Sequence, residues 1–415
     1  MSHPRISLVK ATANSNSLNV AIALSEAYLL HELITTIAYN PQGTLAAYLK
    51  HLPNGVRKAI EQELGRRAWL LPDIGSLRAY YWREIFRLVL VRTELYRPLG
   101  FNQASLIDWV YTSLDRCVAK DHLHDVDAVY AYEDEAAITF QVAKQQGIKC
   151  LYDLPIPFYR TSRAIQIEEA ERFPELASAI QAIQEPAWKI ERKEAEVQLA
   201  DHIFVASSMT QQSLLDSGIE PQKISVIPYG APTGYFYPQP KSDQSFRALF
   251  VGRVSPRKGV HYLLQAWEEL RLHDAELLFV GANIMPEGWL EQHSDRCRHI
   301  DSVAHASLNQ YYSSASVLVF PSLVEGFGLA ITEAMACGIP VITTPNTAAP
   351  DIITDGIEGF IIPIRDVEAL KEKLEWCYSH PQELVKMGQA ARRKAEKLSW
   401  QQYRWQLINN IQKVL

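Results

Sequence analysis

The chain has 415 residues, of which 47% are hydrophobic, and its formal net charge is −6. This length is too great for one ordinary core and predicts two domains of similar size. The composition argues against a general attraction to nucleic acid, and no stretch approaches the roughly 18 apolar residues that a membrane-spanning helix needs.

The first residues, MSHPRISLVKATANSNS, lack the charged start, apolar middle and cleavage site of a secretory signal. The five cysteines are scattered without metal-ligand spacing, which is typical of free thiols in a reducing compartment. We therefore expect a cytoplasmic protein without a metal site.

Residues 57–97 form a basic segment with nine arginines and lysines against five acids. Aromatic residues, among them Trp69, Tyr80, Tyr81 and Trp82, are interleaved with these charges. This mixture predicts peripheral contact with an anionic membrane, at its inner face, or with a phosphorylated acceptor. The alternative is a pair of amphipathic helices with a solvated basic face.

Short apolar runs alternate with amphipathic ones in the first half of the chain, which predicts βαβ units and a parallel sheet. The expected strands are ISLV, DAVYAY, KCLYDL and HIFVAS. The expected helices include SLIDWVYTSLDRCVAK and EAAITFQVAKQQG, the second closed by Gly147. A charged helical region at 165–199 is long for a simple crossover and predicts an excursion from the core.

The second half repeats this alternation. Its expected strands are RALFVG, AELLFVG, VLVFPS, PVITTP and GFIIPI. The intervening stretch IPYGAPTGYFYPQPKSDQS has linker composition. It divides the chain into an N-terminal domain, 1–235, and a C-terminal domain, 236–398, followed by a last helix at 399–415.

The most informative stretch is PSLVEGFGLAITEAMACGIPVITT, where a strand, a glycine-bearing turn and a helix follow one another. A helix start of this kind favours negative charge, because its first amides are unpaired. Glu325 and Glu333 bracket the turn, and carboxylates accept hydrogen bonds from adjacent sugar hydroxyls. Taken singly, each has an alternative: Glu333 faces solvent on an ordinary helix, and Glu325 merely starts that helix.

A second cluster, FVGRVSPRKGVHYLLQAW, has two cations in the loop after a strand. Arg253 and Lys258 lie where open α/β sheets bind ligands, and they could neutralise a departing diphosphate without a metal. Arg257 is expected at the surface.

These two stretches, followed by DIITDGIEGFIIP, resemble the C-terminal domain of the family 4 retaining glycosyltransferases. The family's Glu-x7-Glu spacing is met by Glu325 and Glu333, and the resemblance runs from about Ala200 through Asp366. It implies the GT-B fold, in which two Rossmann-like, doubly wound α/β domains face each other across a cleft. It also implies that the helix from Ser399 to Leu415 crosses back onto the N-terminal domain.

Carried over by position, the resemblance implies that Arg253, Lys258 and Glu325 are catalytic. Arg253 and Lys258 would hold the donor diphosphate, Glu325 the transferred sugar and Glu333 the ribose hydroxyls. The backbone of the turn would contact sugar and phosphate through Gly326, Phe327, Gly328 and Leu329. Such enzymes use a nucleotide-sugar as substrate and generally need no other cofactor and no bound metal.

The N-terminal half departs from the family pattern. The glycine pair that many relatives carry after the first strand is replaced here by Asn14, Ser15 and Asn16. Many relatives also carry a histidine after the fourth or fifth strand, where this chain has CLYDLPIPFYR with Asp153. The candidates for an acceptor-side role near predicted strand ends are Asp153, Glu133 and His3.

These features together predict a hexosyltransferase that moves a sugar from a nucleoside-diphosphate donor to a glycan, lipid or small-molecule hydroxyl with retention. A phosphorylase or a nucleotide-sugar epimerase of the same fold remains open, since a fold does not fix a function. A nucleotide-sugar-binding protein without catalysis is the third alternative. The sequence does not identify the sugar, the base or the acceptor.

Overall fold

A computed structural model describes residues 4–39, 76–241, 243, 245–293 and 295–415, with scattered positions between 50 and 69. The described strands form two parallel sheets, one of seven strands and one of six. The strands of the first sheet are β1 (Ile6–Val9), β2 (Leu30–Thr35), β3 (Leu77–Ala79), β4 (Ala128–Tyr132), β5 (Lys149–Leu154), β6 (His202–Val205) and β7 (Ile224–Val226).

The first sheet has the order β3-β2-β1-β4-β5-β6-β7. Its strand order reverses between β1 and β4, and open sheets bind ligands outside the carboxyl ends of the strands at such a switch point. Helices cover both faces because the strands are apolar on both faces. They are α1 (Ser15–Glu26), α2 (Tyr81–Arg92), α3 (Gln103–Asp121), α4 (Ala137–Gln145), α5 (Tyr159–Arg172), α6 (Ala187–Leu199) and α7 (Ser208–Leu215).

The predicted excursion at 165–199 is two helices with different neighbours. Glu169 of α5 is buried against the second domain, where it bonds His261 and Arg365. Glu196 of α6 returns to the first sheet, where it accepts a hydrogen bond from Tyr152 of β5 at 2.9 Å. The charged composition of this region therefore reflects buried ion pairs as well as a solvated face.

The second sheet has the order β10-β9-β8-β11-β12-β13, so its switch point lies between β8 and β11. Its strands are β8 (Phe246–Val251), β9 (Ala275–Val280), β10 (Arg298–Ile300), β11 (Val317–Phe320), β12 (Val341–Thr343) and β13 (Gly359–Ile361). Its helices are α8 (Val260–Leu270), α9 (Leu308–Ser314), α10 (Leu329–Ala336), α11 (Ala349–Ile352), α12 (Val367–Ser379) and α13 (Pro381–Lys397). The predicted fold class, two parallel sheets of alternating strands and helices, is confirmed.

The last helix, α14 (Trp400–Val414), packs on α1 of the first domain. Tyr403 donates its hydroxyl to Asn16 Oδ1 at 2.8 Å, and Arg404 donates to Asn19 Oδ1 at 2.9 Å. The chain therefore crosses between the sheets twice, first through the linker and then before α14. Among the described residues, no helix combines the length and apolar character that crossing a bilayer requires.

Candidate active site

The centre of the candidate site is a buried ion pair at the switch point of the second sheet. Lys258 Nζ, in the loop after β8, contacts Glu325 Oε2, in the loop after β11. Gly259 fixes the first loop with a φ of 67°, and an added Cβ would meet the carbonyl oxygen of Pro321 at 2.1 Å. Only glycine therefore lets the two loops approach closely enough to form the pair.

Both members of this pair have shifted pKa values. Burial disfavours the charged form of Glu325, but Lys258 and Arg257 reverse this effect and hold its pKa at about 2. Burial lowers the pKa of Lys258 to about 8, because the attraction of Glu325 is smaller and Arg257 and Arg253 add repulsion. Near pH 7 the pair therefore consists of a carboxylate and a predominantly protonated amine.

Arg257 was expected at the surface, and that prediction is wrong. Its Nη1 lies 3.2 Å from Glu325 Oε2 and donates to the Val324 carbonyl at 2.8 Å. The residue lies in a single 3₁₀ turn, Pro256–Lys258, which directs it toward the neighbouring loop. Of the three cations in this loop, Lys258 is buried, Arg257 is partly buried and Arg253 is exposed. Positive charge therefore extends from the interior of the site to its surface.

Glu333 lies on α10 with its side chain only 9% exposed, so the alternative of a surface carboxylate does not hold. Its Oε2 accepts from the Tyr312 hydroxyl at 2.7 Å, and its Oε1 lies 2.8 Å from His305 Nε2. This hydrogen bond raises the pKa of His305, whose side chain is 63% exposed. Glu333 is thus bonded to different partners from Glu325.

The glycine turn between the two glutamates packs against the N-terminal domain. An added Cβ on Gly326 would meet the Pro155 carbonyl oxygen, after β5, at 1.8 Å. The Gly326 carbonyl accepts from Ser207 Oγ at 2.5 Å. Gly326 therefore sits where the carboxyl ends of the two sheets face each other.

The remaining turn residues shape the start of α10. Phe327 is buried, with its ring centroid 4.9 Å from that of Tyr229. Gly328 precedes the helix with a φ of 87°, and Leu329, its first residue, is exposed. The first amides of a helix have no partner within the helix, so this end is suited to an anion or a sugar hydroxyl.

Asp153 is buried at the end of β5, on the face of the first sheet that α1 and α14 cover. Its Oδ2 accepts hydrogen bonds from the Tyr130 hydroxyl at 2.8 Å and from Asn16 Nδ2 at 3.3 Å. Burial raises the pKa of Asp153 to about 6, although these hydrogen bonds oppose the shift. The asparagine that replaces the expected glycine thus positions this carboxyl.

Of the other two acceptor-side candidates, Glu133 is not brought together with Asp153. Glu133 follows β4 and lies 3.7 Å from Lys193 of α6, which covers the opposite face of the sheet. Burial raises the pKa of Glu133 to about 8 against the attraction of Lys193. His3 lies outside the described residues.

A second lysine–glutamate pair, not anticipated from the sequence, lies at the switch point of the first sheet. Lys10 Nζ, after β1, is 2.7 Å from Glu135 Oε1, after β4, and 4.5 Å from the ring centroid of Tyr132. Burial opposes its charge, but Glu135 raises the pKa of Lys10. A cation directly after the first strand was the available sequence signal.

Among the described residues, no cluster of His, Cys, Asp and Glu is arranged to hold a metal ion.

Replacing Asp153 with asparagine is expected to stabilise the protein more at pH 8 than at pH 5. Both hydrogen bonds end on one oxygen, which the asparagine carbonyl can replace. The folded-state pKa is raised, so the wild-type carboxyl lowers stability as pH rises from about 4 to 6, and the full cost persists above that range. Urea unfolding should give a gain about 1–2 kcal/mol larger at pH 8 than at pH 5. An equal gain at both pH values would contradict the assigned burial effect.

The C-terminal half is similar to known proteins. Residues 236–394 match the family model "Glycosyl transferases group 1". The group 1 match contains Arg253, Lys258, Glu325 and Glu333. A relative from Mycolicibacterium hassiacum, "MMP alpha-(1->4)-mannosyltransferase", is 30% identical over 233 residues. The alignment covers 54% of this chain and 56% of the relative, so the chain spans about half the length of that relative.

Solved structures similar to this chain extend over both domains. Sucrose-phosphate synthase from Thermosynechococcus elongatus aligns with a TM-score of 0.64 at 19% identity, covering 99% of each chain. Anabaena HepE in complex with UDP-glucose aligns with a TM-score of 0.63 at 14% identity, covering 99% of this chain and 100% of that one. At these identities the likeness shows the fold alone, and it confirms the GT-B architecture around the group 1 match.

Proposed function

We propose that the protein is a retaining glycosyltransferase that moves a hexosyl unit from a nucleoside-diphosphate sugar to an acceptor hydroxyl. The observation that supports this proposal best is the Lys258–Glu325 pair at the switch point, beside the glycine turn that starts α10. It puts a cation for phosphate and a carboxylate for sugar hydroxyls at one place. The group 1 match to residues 236–394 agrees with this assignment.

In the proposed reaction, the bond between the anomeric carbon and the diphosphate oxygen breaks, and the diphosphate departs with the electron pair. Lys258 and Arg253 stabilise this developing charge, with Arg257 one residue away. Such charge stabilisation is usually the largest catalytic contribution, and it needs no metal here. The acceptor oxygen forms the new bond on the face that the diphosphate leaves, and the diphosphate takes the acceptor proton.

The carboxylates orient the donor in this scheme. Glu325 accepts hydrogen bonds from hydroxyls of the transferred sugar, because its low pKa keeps it ionised. Glu333 accepts from the ribose hydroxyls, which take the place of His305, a largely exposed side chain. The backbone of the glycine turn contacts the sugar and the phosphate, through Gly326, Phe327, Gly328 and Leu329.

The acceptor is proposed to enter from the N-terminal domain, whose strand ends face the glycine turn. Asp153 and the Lys10–Glu135 pair are buried polar groups at this edge. A hexose and a uridine nucleotide are the first choices for the donor. The M. hassiacum relative is named a mannosyltransferase, and the Anabaena structure is a complex with UDP-glucose.

The test is a nucleotide-release assay with a panel of uridine, guanosine and adenosine diphosphate sugars, with and without sugar and lipid-linked acceptors. We expect acceptor-stimulated release from one donor, and a product whose anomeric configuration by NMR equals that of the donor. Release that requires inorganic phosphate would identify a phosphorylase, and sugar interconversion without an acceptor would identify an epimerase. Binding without turnover, or an inverted product, would overturn the proposal.

A further inference from the structure

Helix α2 carries an apolar stripe that faces water instead of the core. Trp82, Ile85, Phe86 and Val89 recur at helical spacing, and each is 49–58% exposed. Positions i, i+3, i+4 and i+7 lie on one side of a helix. This stripe and Trp109 of α3, 38% exposed, are called the apolar face.

The apolar face is a continuous surface. The ring centroid of Trp109 lies 5.8 Å from that of Trp82 and 6.1 Å from that of Phe86. The turn that connects α2 and α3 adds three more exposed apolar side chains. They are Leu95, Leu99 and Phe101, each 51–59% exposed. Single exposed apolar residues are common, but a contiguous cluster of this kind marks an interaction site.

The charges around the apolar face are predominantly positive. Arg83 lies 4.5 Å from the ring of Trp82, and Arg78 is exposed just before the helix. Arg97 is exposed in the following turn, where it pairs with Glu94. Two nearby acids are turned away from this surface, since Glu84 is buried against Arg87 and Asp108 bonds Lys189 at 2.8 Å.

We propose that the apolar face docks the protein on a lipid bilayer that contains anionic headgroups. Tryptophan and arginine side by side suit the boundary between headgroups and acyl chains, where the ring is buried and the guanidinium meets phosphate. A second copy of this chain fits less well, because a symmetric contact sets the arginines of the two copies against each other. The proposal does not depend on the proposed transferase activity.

The apolar face lies near the cleft, so membrane docking there would place the bilayer close to the candidate active site. α2 begins at Tyr81, directly after the carboxyl end of β3. The carboxyl ends of parallel strands share one edge of the sheet, so the start of α2 is at the edge that faces the cleft. Docking there brings the bilayer to the N-terminal domain on the side from which an acceptor would enter.

The experiment is co-sedimentation of the full chain with vesicles of phosphatidylcholine containing phosphatidylglycerol, at low and high salt. Wild type should bind at low salt, and high salt or pure phosphatidylcholine should weaken binding because screening removes the arginine contribution. The double substitution Trp82→Ser and Phe86→Ser should lower the partition coefficient at least about tenfold, since both rings lose their burial in lipid.

A matched control is the double substitution Trp405→Ser and Val385→Ser, at side chains 64% and 61% exposed on α14 and α13. This control should bind vesicles like wild type, and circular dichroism should show that both variants are folded. Absent binding at low salt, or equal binding by the apolar-face variant, would overturn the proposal. A dimer in light scattering that the apolar-face variant abolishes, without vesicle binding, would assign the surface to a second copy instead.

Discussion

Replacing Lys258 with alanine is expected to lower the rate of nucleoside diphosphate release about 10²–10³-fold, the cost of losing one preorganised group that stabilises developing charge. Lys258 is buried beside Glu325, so water cannot readily replace the ammonium group. Arg257 remains 3.2 Å from Glu325 and keeps that carboxylate paired, so the variant should still fold. The measurement is steady-state nucleotide release with the donor that the panel assay identifies.

The matched control is Lys371→Ala on α12 of the same domain, where the ammonium group bonds Glu269 and Glu368. It removes the same side chain away from the switch point and should leave the release rate within about twofold of wild type. Equal rates for the Lys258 variant and this control would refute the assignment of Lys258 to the diphosphate.

The substitution Gly326→Ala should reduce activity about 100-fold, the size of effect that a displacement of about 1 Å at reacting groups produces. The added Cβ would overlap the Pro155 carbonyl oxygen at 1.8 Å, and this oxygen belongs to the backbone, so it cannot rotate aside as a side chain could. The turn must therefore move away from the N-terminal domain, taking the neighbouring Glu325 with it. Nucleotide release and thermal unfolding, measured side by side, separate the loss of geometry from the loss of fold.

Gly234→Ala provides the control for this change, because a Cβ at Gly234 would meet nothing within 4 Å. It should keep both activity and unfolding temperature. If Gly326→Ala is as active as Gly234→Ala, the turn does not hold the reacting groups in register with the N-terminal domain.

Much of the fold could be predicted from the sequence because most strands are buried on both faces and appear as short apolar runs. Among the strands that were not expected, β2, β3 and β10 were missed for local reasons. β2 contains Glu32, which is buried because it bonds His122 at 2.9 Å and Ser7 at 3.3 Å. β3 and β10 are three-residue edge strands with arginine in their sequence. The partner of a charged residue in a strand lies on another element, so the sequence alone does not show that the charge can be buried there.

The C-terminal half of the site was more predictable than the N-terminal half. The glycine turn and the loop cations lie next to each other because parallel strands bring their carboxyl ends to one edge. The pairing of Arg257 with Glu325 depends on the path of a single 3₁₀ turn, which spacing does not reveal. The Asp153 carboxyl is positioned by a hydrogen bond from Asn16, which is 137 residues away in sequence. The acceptor-side role of Asp153 stays a prediction. The domain boundary near residue 235 also stays a prediction.

The central claim is that Lys258, Glu325 and the glycine turn form a binding site for a nucleoside diphosphate. Isothermal titration of wild type and Lys258→Ala with UDP, GDP and ADP tests it most directly. The account predicts that one nucleotide binds wild type and that the variant binds it at least about tenfold more weakly, as expected for the loss of a charged contact. No binding of any of the three to wild type at millimolar concentration, or equal affinity for both proteins, would contradict it.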